Sequence, residues 1–287
     1  MYNNKLVGVV ILNYKDANTT IKLCNAIEKY NVIDNIVVVD NLSPDDSFSK
    51  LLKIRNSKIN IIQTDKNGGY SYGNNYGAFY LINQYNIDIL FIANPDVEFS
   101  EEFIIKCSEY IDKKILQAVS GIMLLPDGRK SFWNGKINNF YEDLIDCTIF
   151  IKQFFNNSKM SYAMQIGELI YVDFLPGSLF AIDGATFMKI NGFDDGVFLY
   201  YEESILSIKL KRLGYNLALC KNITFKHIHS ASINKSIKKI NQLKLLYKSR
   251  LYLYNNYFNA TKLQIILLKI FMAYGIFMRR ILYKIFY

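Results

Sequence analysis

The feature that most restricts this chain is an alternation, repeated four times in the first hundred residues, of a short apolar run with a polar turn and a stretch of helical spacing. Residues 5–12 (KLVGVVIL), 35–39 (NIVVV), 59–63 (INIIQ) and 87–93 (IDILFIA) are the apolar runs. Continuous β-branched segments of this kind belong to strands covered on both faces, as in a parallel sheet. Asn18 or Thr19 is placed to cap a helix reaching about Tyr30, and Ser43-Pro44-Asp45-Asp46 reads as the start of a second. Residues 70–84 have the spacing of a third helix, and Ser100 caps a fourth with Glu101 and Glu102 in its first turn. Strand and helix in turn make a doubly wound α/β beginning. Right-handed crossovers then bring Asp40 and Asp96, each ending a strand, to the same edge of the sheet, the edge where open α/β sheets bind ligands.

The second half is less regular. Residues 118–125 read as a strand, 126–129 (PDGR) as a hairpin turn, and 130–168 as an irregular or helical insertion near the cleft. Strands follow at 170–175 and 179–182, then a helix near 185–190 and a turn at 191–196. An aromatic segment, 197–201, delivers Glu202 and Glu203 to the N-terminus of a helix that carries Leu206, Leu210 and Leu213 on one side. A last short strand, 223–225, runs into Lys226-His227-Ile228-His229, and helical patterns fill 237–256 and 261 to the end.

Charge divides the chain. The net charge is +9, yet the last acidic residue is Glu203, and the 16 Lys and Arg beyond it leave residues 1–203 at −7. An acidic body with a basic tail points to a polyanion: nucleic acid, an anionic membrane surface or a phosphorylated substrate. In the last helix only nine uncharged residues, 270–278, lie between Lys269 and Arg279, far short of the roughly 20 that span a bilayer. A helix lying in the interface, or one packing on the domain or on a second subunit, fits instead. The four cysteines form no Cys-x-x-Cys pair, which indicates buried free thiols in a reducing compartment. The N-terminus lacks the pattern of a signal peptide, which places the protein in the cytoplasm.

Two motifs carry chemistry. Residues 66–77 (KNGGYSYGNNYG) lack the lysine and hydroxyl of a phosphate loop, but their glycines let backbone approach a ligand and their asparagines offer neutral hydrogen bonds. Asn94-Pro95-Asp96 ends a strand with one free carboxylate, a turn in its own right and, in company, a cation site.

The ordered set Val38-Val39-Asp40-Asn41-x-Ser43, Asn67-Gly68-Gly69-Tyr70-Ser71-x-Gly73-Asn74-Asn75-x-Gly77, Asn94-Pro95-Asp96-Val97, Gly177-Ser178-Leu179-Phe180 and Phe198-Leu199-Tyr200-Tyr201-Glu202-Glu203 resembles glycosyltransferase family 2, and within it the bacterial rhamnosyltransferase-like branch that builds cell-surface polysaccharides. The resemblance covers residues 5–232. It implies a GT-A fold, a Rossmann-like nucleotide-binding mixed sheet flanked by helices, with the C-terminal helical, basic amphipathic extension appended at 233–287. It also implies inverting displacement of a nucleoside diphosphate from a UDP-, dTDP- or GDP-sugar by a hydroxyl of a saccharide or lipid-linked saccharide, at the inner face of the cell membrane.

By the same resemblance Asp40, Asn41, Asn67, Gly69, Gly73, Asn74, Asn94 and Asp96 border the nucleotide and sugar. Asp96 and His227, or His229 in its place, hold Mg²⁺ or Mn²⁺, and Glu203, with Glu202 beside it, is the base. Asn94 departs from the family signature, where an aspartate is usual, and Ile205 from another acidic position. A catalytically silent scaffold in a polysaccharide-assembly complex is the reading from another class. Nucleic-acid binding lacks a fold motif, and monomer or homodimer stays open.

Overall fold

The computed structural model describes residues 1–131, 135–148, 164–228 and 239–286. Four of the expected strands open the chain as β1 (Val7–Asn13), β2 (Asn35–Asp40), β3 (Ile59–Gln63) and β4 (Ile89–Ala93), with helices α1 (Ala17–Ile27), α2 (Ser47–Leu52) and α3 (Gly69–Tyr85) between them. The first helix starts before the expected cap, because Asp16 stands at its N-cap and accepts from the Thr19 hydroxyl. The second starts as expected within the 43–46 turn, with Asp46 as its N-cap. A two-residue strand, β5 (Val97–Glu98), follows the Asn-Pro-Asp corner, and α4 (Glu101–Asp112) is capped by Ser100 as the sequence implies.

Beyond α4 lie β6 (Ala118–Leu124), α5 (Phe140–Cys147), β7 (Met164–Ile166), β8 (Leu169–Tyr171), β9 (Leu179–Asp183), α6 (Gly184–Lys189) and α7 (Glu202–Arg212). They are followed by β10 (Leu217–His227), α8 (Lys239–Asn256) and α9 (Lys262–Phe286). The expected strand at 170–175 shrinks to β8, and the one at 223–225 lengthens to the 11 residues of β10. Lys221 and Asn222 interrupt the apolar pattern there, at an irregularity where the register on β6 shifts between Cys220 and Thr224. The irregular insertion contains the capped helix α5; residues 132–134 and 149–163 of it lie outside the described residues.

The strands form one mixed sheet in the order β3-β2-β1-β4-β9-β6-β10-β8-β7, with β5 pairing on β10. Strands β1 to β4 run parallel, β9 enters antiparallel between β4 and β6, and β10 returns parallel to β6. The C-terminal ends of β1, β2, β4, β6 and β10 therefore share an edge with the start of β9.

Alternate residues of each strand serve two cores, as period-2 geometry requires. Val9, Ile11, Ile36, Val38 and Phe91 pack under α1 and α4; Val10, Val37, Val39, Leu90 and Ile92 pack under α3, α6 and α7. A third cluster joins α5, α8 and α9 through Cys147, Tyr247, Tyr254, Leu268 and Met272. All four cysteines are free and buried.

Helix α3 lies close on the sheet because small residues face it. A Cβ on Gly77 would stand 2.6 Å from Val39 Cγ2 and 2.7 Å from Val10 Cγ1. Gly77→Ala is expected to overpack this contact and to lower unfolding free energy by about 1–3 kcal/mol in urea melts.

Candidate active site

The shared edge gathers most of the residues singled out in the sequence. At the end of β2, Asp40 is fully buried, and its carboxylate is already organised by the protein. Asn13 Nδ2 donates to Oδ1 at 2.7 Å, while the Ser43 amide and Gln63 Nε2 donate to Oδ2 at 3.0 and 2.9 Å. Asn41 bridges to the glycine-rich segment, its Nδ2 donating to Asn67 Oδ1 and to the Gly69 carbonyl, both at 3.0 Å. Neutral amides thus lace the end of β2 to the N-terminus of α3.

Within α3 the candidate residues divide. A Cβ on Gly73 would stand 2.3 Å from Leu12 Cδ1, so its missing side chain serves packing on β1. Asn74 is buried, donates from Nδ2 to the Tyr70 carbonyl, and keeps Oδ1 without a protein partner. Asn75 fastens α3 to the 193–195 turn through the Phe193 backbone and Asp195 Oδ1. Gly69 has φ +87°, and a Cβ there would meet Phe198 O at 2.1 Å. The Tyr70 amide donates to that same carbonyl at 2.9 Å, which ties the loop before Glu202 to this glycine.

At the end of β4, Asn94 takes its place through a backbone bond to Ser178 O, 2.8 Å, beside the start of β9. Asp96 is nearly buried, and His227, 131 residues later, stands against it with Nε2 3.2 Å from Oδ1. Backbone pairing delivers this contact: His227 is opposite Val97 in the β10–β5 ladder, and the Ile228 amide donates to Asp96 O at 2.9 Å. A carboxylate and an imidazole nitrogen at that separation suit one divalent cation, with the remaining positions open to diphosphate oxygens and water. Among the described residues no three His, Cys, Asp or Glu side chains converge on one point, and His229 lies outside them.

Glu202 and Glu203 begin α7. Glu202 is buried with Oε2 lacking a protein partner, and Glu203 is half-buried. Burial raises both carboxyl pKa values, and the neighbouring charge of Glu203 pushes Glu202 further, well above the usual range. Tyr70 completes this corner: its hydroxyl donates to Gly177 O, and its own pKa is pushed well up by burial and then by the two glutamates. Asn13 and Gln63 are isolated amides with no spacing to recognise, and Tyr70, although within the 66–77 motif, has no pattern there that marks its hydroxyl. Before the pair, Tyr200 and Tyr201 are both left-handed, at φ +72° and +68°, each costing about 1–2 kcal/mol for a residue with a Cβ.

The sequence pattern of glycosyl transferase family 2 matches residues 8–166, more than half of the chain. The chain belongs to that family. Two curated relatives share 24% identity with it: the rhamnosyltransferase WbbL of Escherichia coli K12, over 63% of this chain and 73% of the relative, and the low-salt glycan biosynthesis hexosyltransferase Agl10 of Haloferax volcanii, over 89% and 77%. Among solved structures, the fold resembles the mannosyltransferase PcManGT of Pyrobaculum calidifontis with GDP-Man and Mn²⁺ (TM-score 0.57, 11% identity, 89% of this chain and 65% of that one). It also resembles S. aureus TarS 1–349 with UDP-GlcNAc (0.56, 14%, 87% and 67%) and GalNAc-T7 with UDP, GalNAc and Mn²⁺ (0.58, 15%, 80%), of which it spans 45%. The GT-A fold is thereby shown, and family membership makes the chain a nucleotide-sugar glycosyltransferase by class.

Gly69→Ala is expected to displace Phe198 and lower stability by about 1–3 kcal/mol, the range for strain at a left-handed position, as read by thermal unfolding.

Proposed function

We propose that this family member is an inverting glycosyltransferase that moves a sugar from a nucleotide sugar to a hydroxyl of a growing, lipid-linked cell-surface glycan at the inner membrane face. The observation that carries this reading is the shared edge, which holds an amide-lined loop, the Asp96–His227 pair and two desolvated carboxylates together. Asp40, Asn41 and the 67–74 segment border the nucleotide, and Asn94 lies beside the diphosphate. Residues 1–232 form the transferase domain, and 233–287 the extension that meets the membrane.

In the reaction, the acceptor oxygen bonds to the anomeric carbon from the face opposite the diphosphate. The bond from that carbon to the diphosphate oxygen breaks, and its electron pair leaves with the nucleoside diphosphate. Glu203 accepts the acceptor proton as attack proceeds. Its raised pKa makes it a stronger base than an ordinary glutamate, and Glu202, more deeply buried beside it, is shifted further in the same direction. Asp96 and His227 would hold Mg²⁺ or Mn²⁺, which when bound supplies positive charge to the departing diphosphate.

The membrane element is supported by α9. Leu263, Ile266, Ile270, Tyr274 and Phe277 recur on one exposed face, with Leu263 66% and Phe277 61% accessible. Exposed Lys262, Lys269 and Arg280 border that stripe. Among the described residues no helix is long and apolar enough to cross a membrane, and a stripe of this form lies in the lipid interface instead. Pairing two such faces in a homodimer would set basic flank against basic flank, so an anionic surface is the better partner.

Purified protein with Mn²⁺ is expected to release nucleotide from at least one UDP-, GDP- or dTDP-sugar; release from none would sink the proposal. Glu203→Gln should lower that rate by about 10²–10⁴-fold with the fold retained. In the parent protein the rate should fall with acid through a pKa above the ~4.3 of a free glutamate, since the base must be ionised. Asp96→Ala should abolish stimulation by Mn²⁺. In flotation assays the protein should bind phosphatidylglycerol-containing vesicles, and Ile266→Glu with Ile270→Glu should reduce binding at least about tenfold, as loss of two buried aliphatic side chains requires. Binding unchanged by these substitutions would remove α9 from the membrane reading.

A further inference from the structure

Among the described residues, the largest fully buried side chain is a cation. Arg250, on α8, is 2% exposed and belongs to a helix that the sequence pattern of the family does not reach. A guanidinium is tolerated in such a place only when its donors are met and its charge is matched. Here they are. Nη2 contacts Asp146 Oδ2 at 2.7 Å and Asp143 Oδ1 at 3.3 Å, Nη1 donates to Asp143 O at 2.9 Å and to Cys147 Sγ at 3.3 Å, and Nε donates to the Tyr201 hydroxyl at 2.6 Å.

Tyr201 is the residue before Glu202 and the second of the two left-handed tyrosines. Left-handed backbone at a tyrosine persists only where surrounding contacts over-determine it. Several contacts from the C-terminal helices do so. Besides the Arg250 bond, Ser249 Oγ donates to Leu199 O at 2.7 Å, and Tyr252 Oη donates to Asp194 at 3.0 Å. Val197 and Ile205 are buried against Leu253. On the opposite side the same segment is held by α3, through the Tyr70 amide on Phe198 O. Residues 194–201 are therefore clamped between α3 and α8, and the carboxylates leave the clamp at its end.

We propose that Arg250 is a positioning residue for the Glu202–Glu203 pair, acting through Tyr201, and that α8 is thereby a working part of the active site; this rests on the reading of Glu203 as the base. Arg250 touches no reacting atom. Its fork, anchored on α5, fixes the phenol of Tyr201, and the phenol fixes the backbone from which both glutamates project.

The test uses the full chain and two mild variants that cut separate bonds to the segment, Tyr201→Phe and Ser249→Ala. Ile59→Val, in the buried far edge of the sheet, serves as a control that loosens the fold elsewhere. Turnover is followed as nucleotide release from UDP-GlcNAc, GDP-mannose and dTDP-rhamnose, binding by titration of UDP, GDP and dTDP with Mn²⁺, and folding by thermal melts. Tyr201→Phe and Ser249→Ala are each expected to lower kcat by about tenfold or more, as small displacements of a catalytic group do, with KM and nucleotide affinity within about twofold. Ile59→Val should lower the melting temperature with kcat retained.

If both variants keep the parent kcat while Glu203→Gln loses it, the positioning role is wrong and the assignment of the base stands. Equal loss of kcat in all variants, tracking melting temperature, would reduce the clamp to a structural support and also overturn the proposal. If Glu203→Gln itself turns over normally, the base assignment falls and the positioning role falls with it.

Discussion

The site depends on one strand running past its neighbour. Strand β10 pairs with β6 along most of its length, yet its last residues, Lys226 and His227, form a ladder with Glu98 and Val97 of β5. Those backbone hydrogen bonds are what carry an imidazole across the sheet edge to Asp96. The register shift between Cys220 and Thr224 lets the strand keep its pairing with β6 before and after the irregularity. Without this pairing, Asp96 would be one carboxylate at a proline turn, with no imidazole 3.2 Å from it.

A second constraint concerns desolvated charge. The protein buries a carboxylate pair at the start of α7 and a guanidinium on α8, and it treats them differently. Arg250 meets matched acceptors, as structural ions in an interior must. Glu202 is left with a bare oxygen, and its proton affinity rises accordingly. A fully satisfied network fixes geometry; an unsatisfied group keeps free energy in reserve for a ligand. The two lie one residue apart along the chain, at Tyr201 and Glu202.

Much of the fold could be read directly from the chain. The strands β1 to β4 announce themselves because both faces are covered and their central positions form apolar runs, and Ser100 with Glu101 and Glu102 marks the start of α4 by cap chemistry alone. The edge position of Asp40 and Asp96 follows from crossover handedness. Other parts were hidden for physical reasons. Strand β10 was seen as three residues because Lys221 and Asn222 sit at a bulge, where alternation is lost. Gly73 read as a ligand-facing residue, whereas its space is taken by Leu12. Arg250 counted among the cations of a basic tail, since nothing in a sequence distinguishes a lysine-rich surface from one arginine folded inward against residues a hundred positions earlier. The strained tyrosines were likewise invisible, because left-handed backbone at a residue with a Cβ is imposed by tertiary contact.

The division of charge along the chain has an effect at distances where no side chain touches anything. Residues 1–203 sum to −7 and the 16 Lys and Arg beyond them have no acidic residue among them, so every charged side chain on α8 and α9 is cationic. Near a negatively charged plane such an object experiences a torque as well as a pull, out to about a Debye length of 8 Å in physiological salt. It turns before it lands. On the membrane reading proposed above, orientation is settled during approach, with the cationic helices α8 and α9 meeting the surface first.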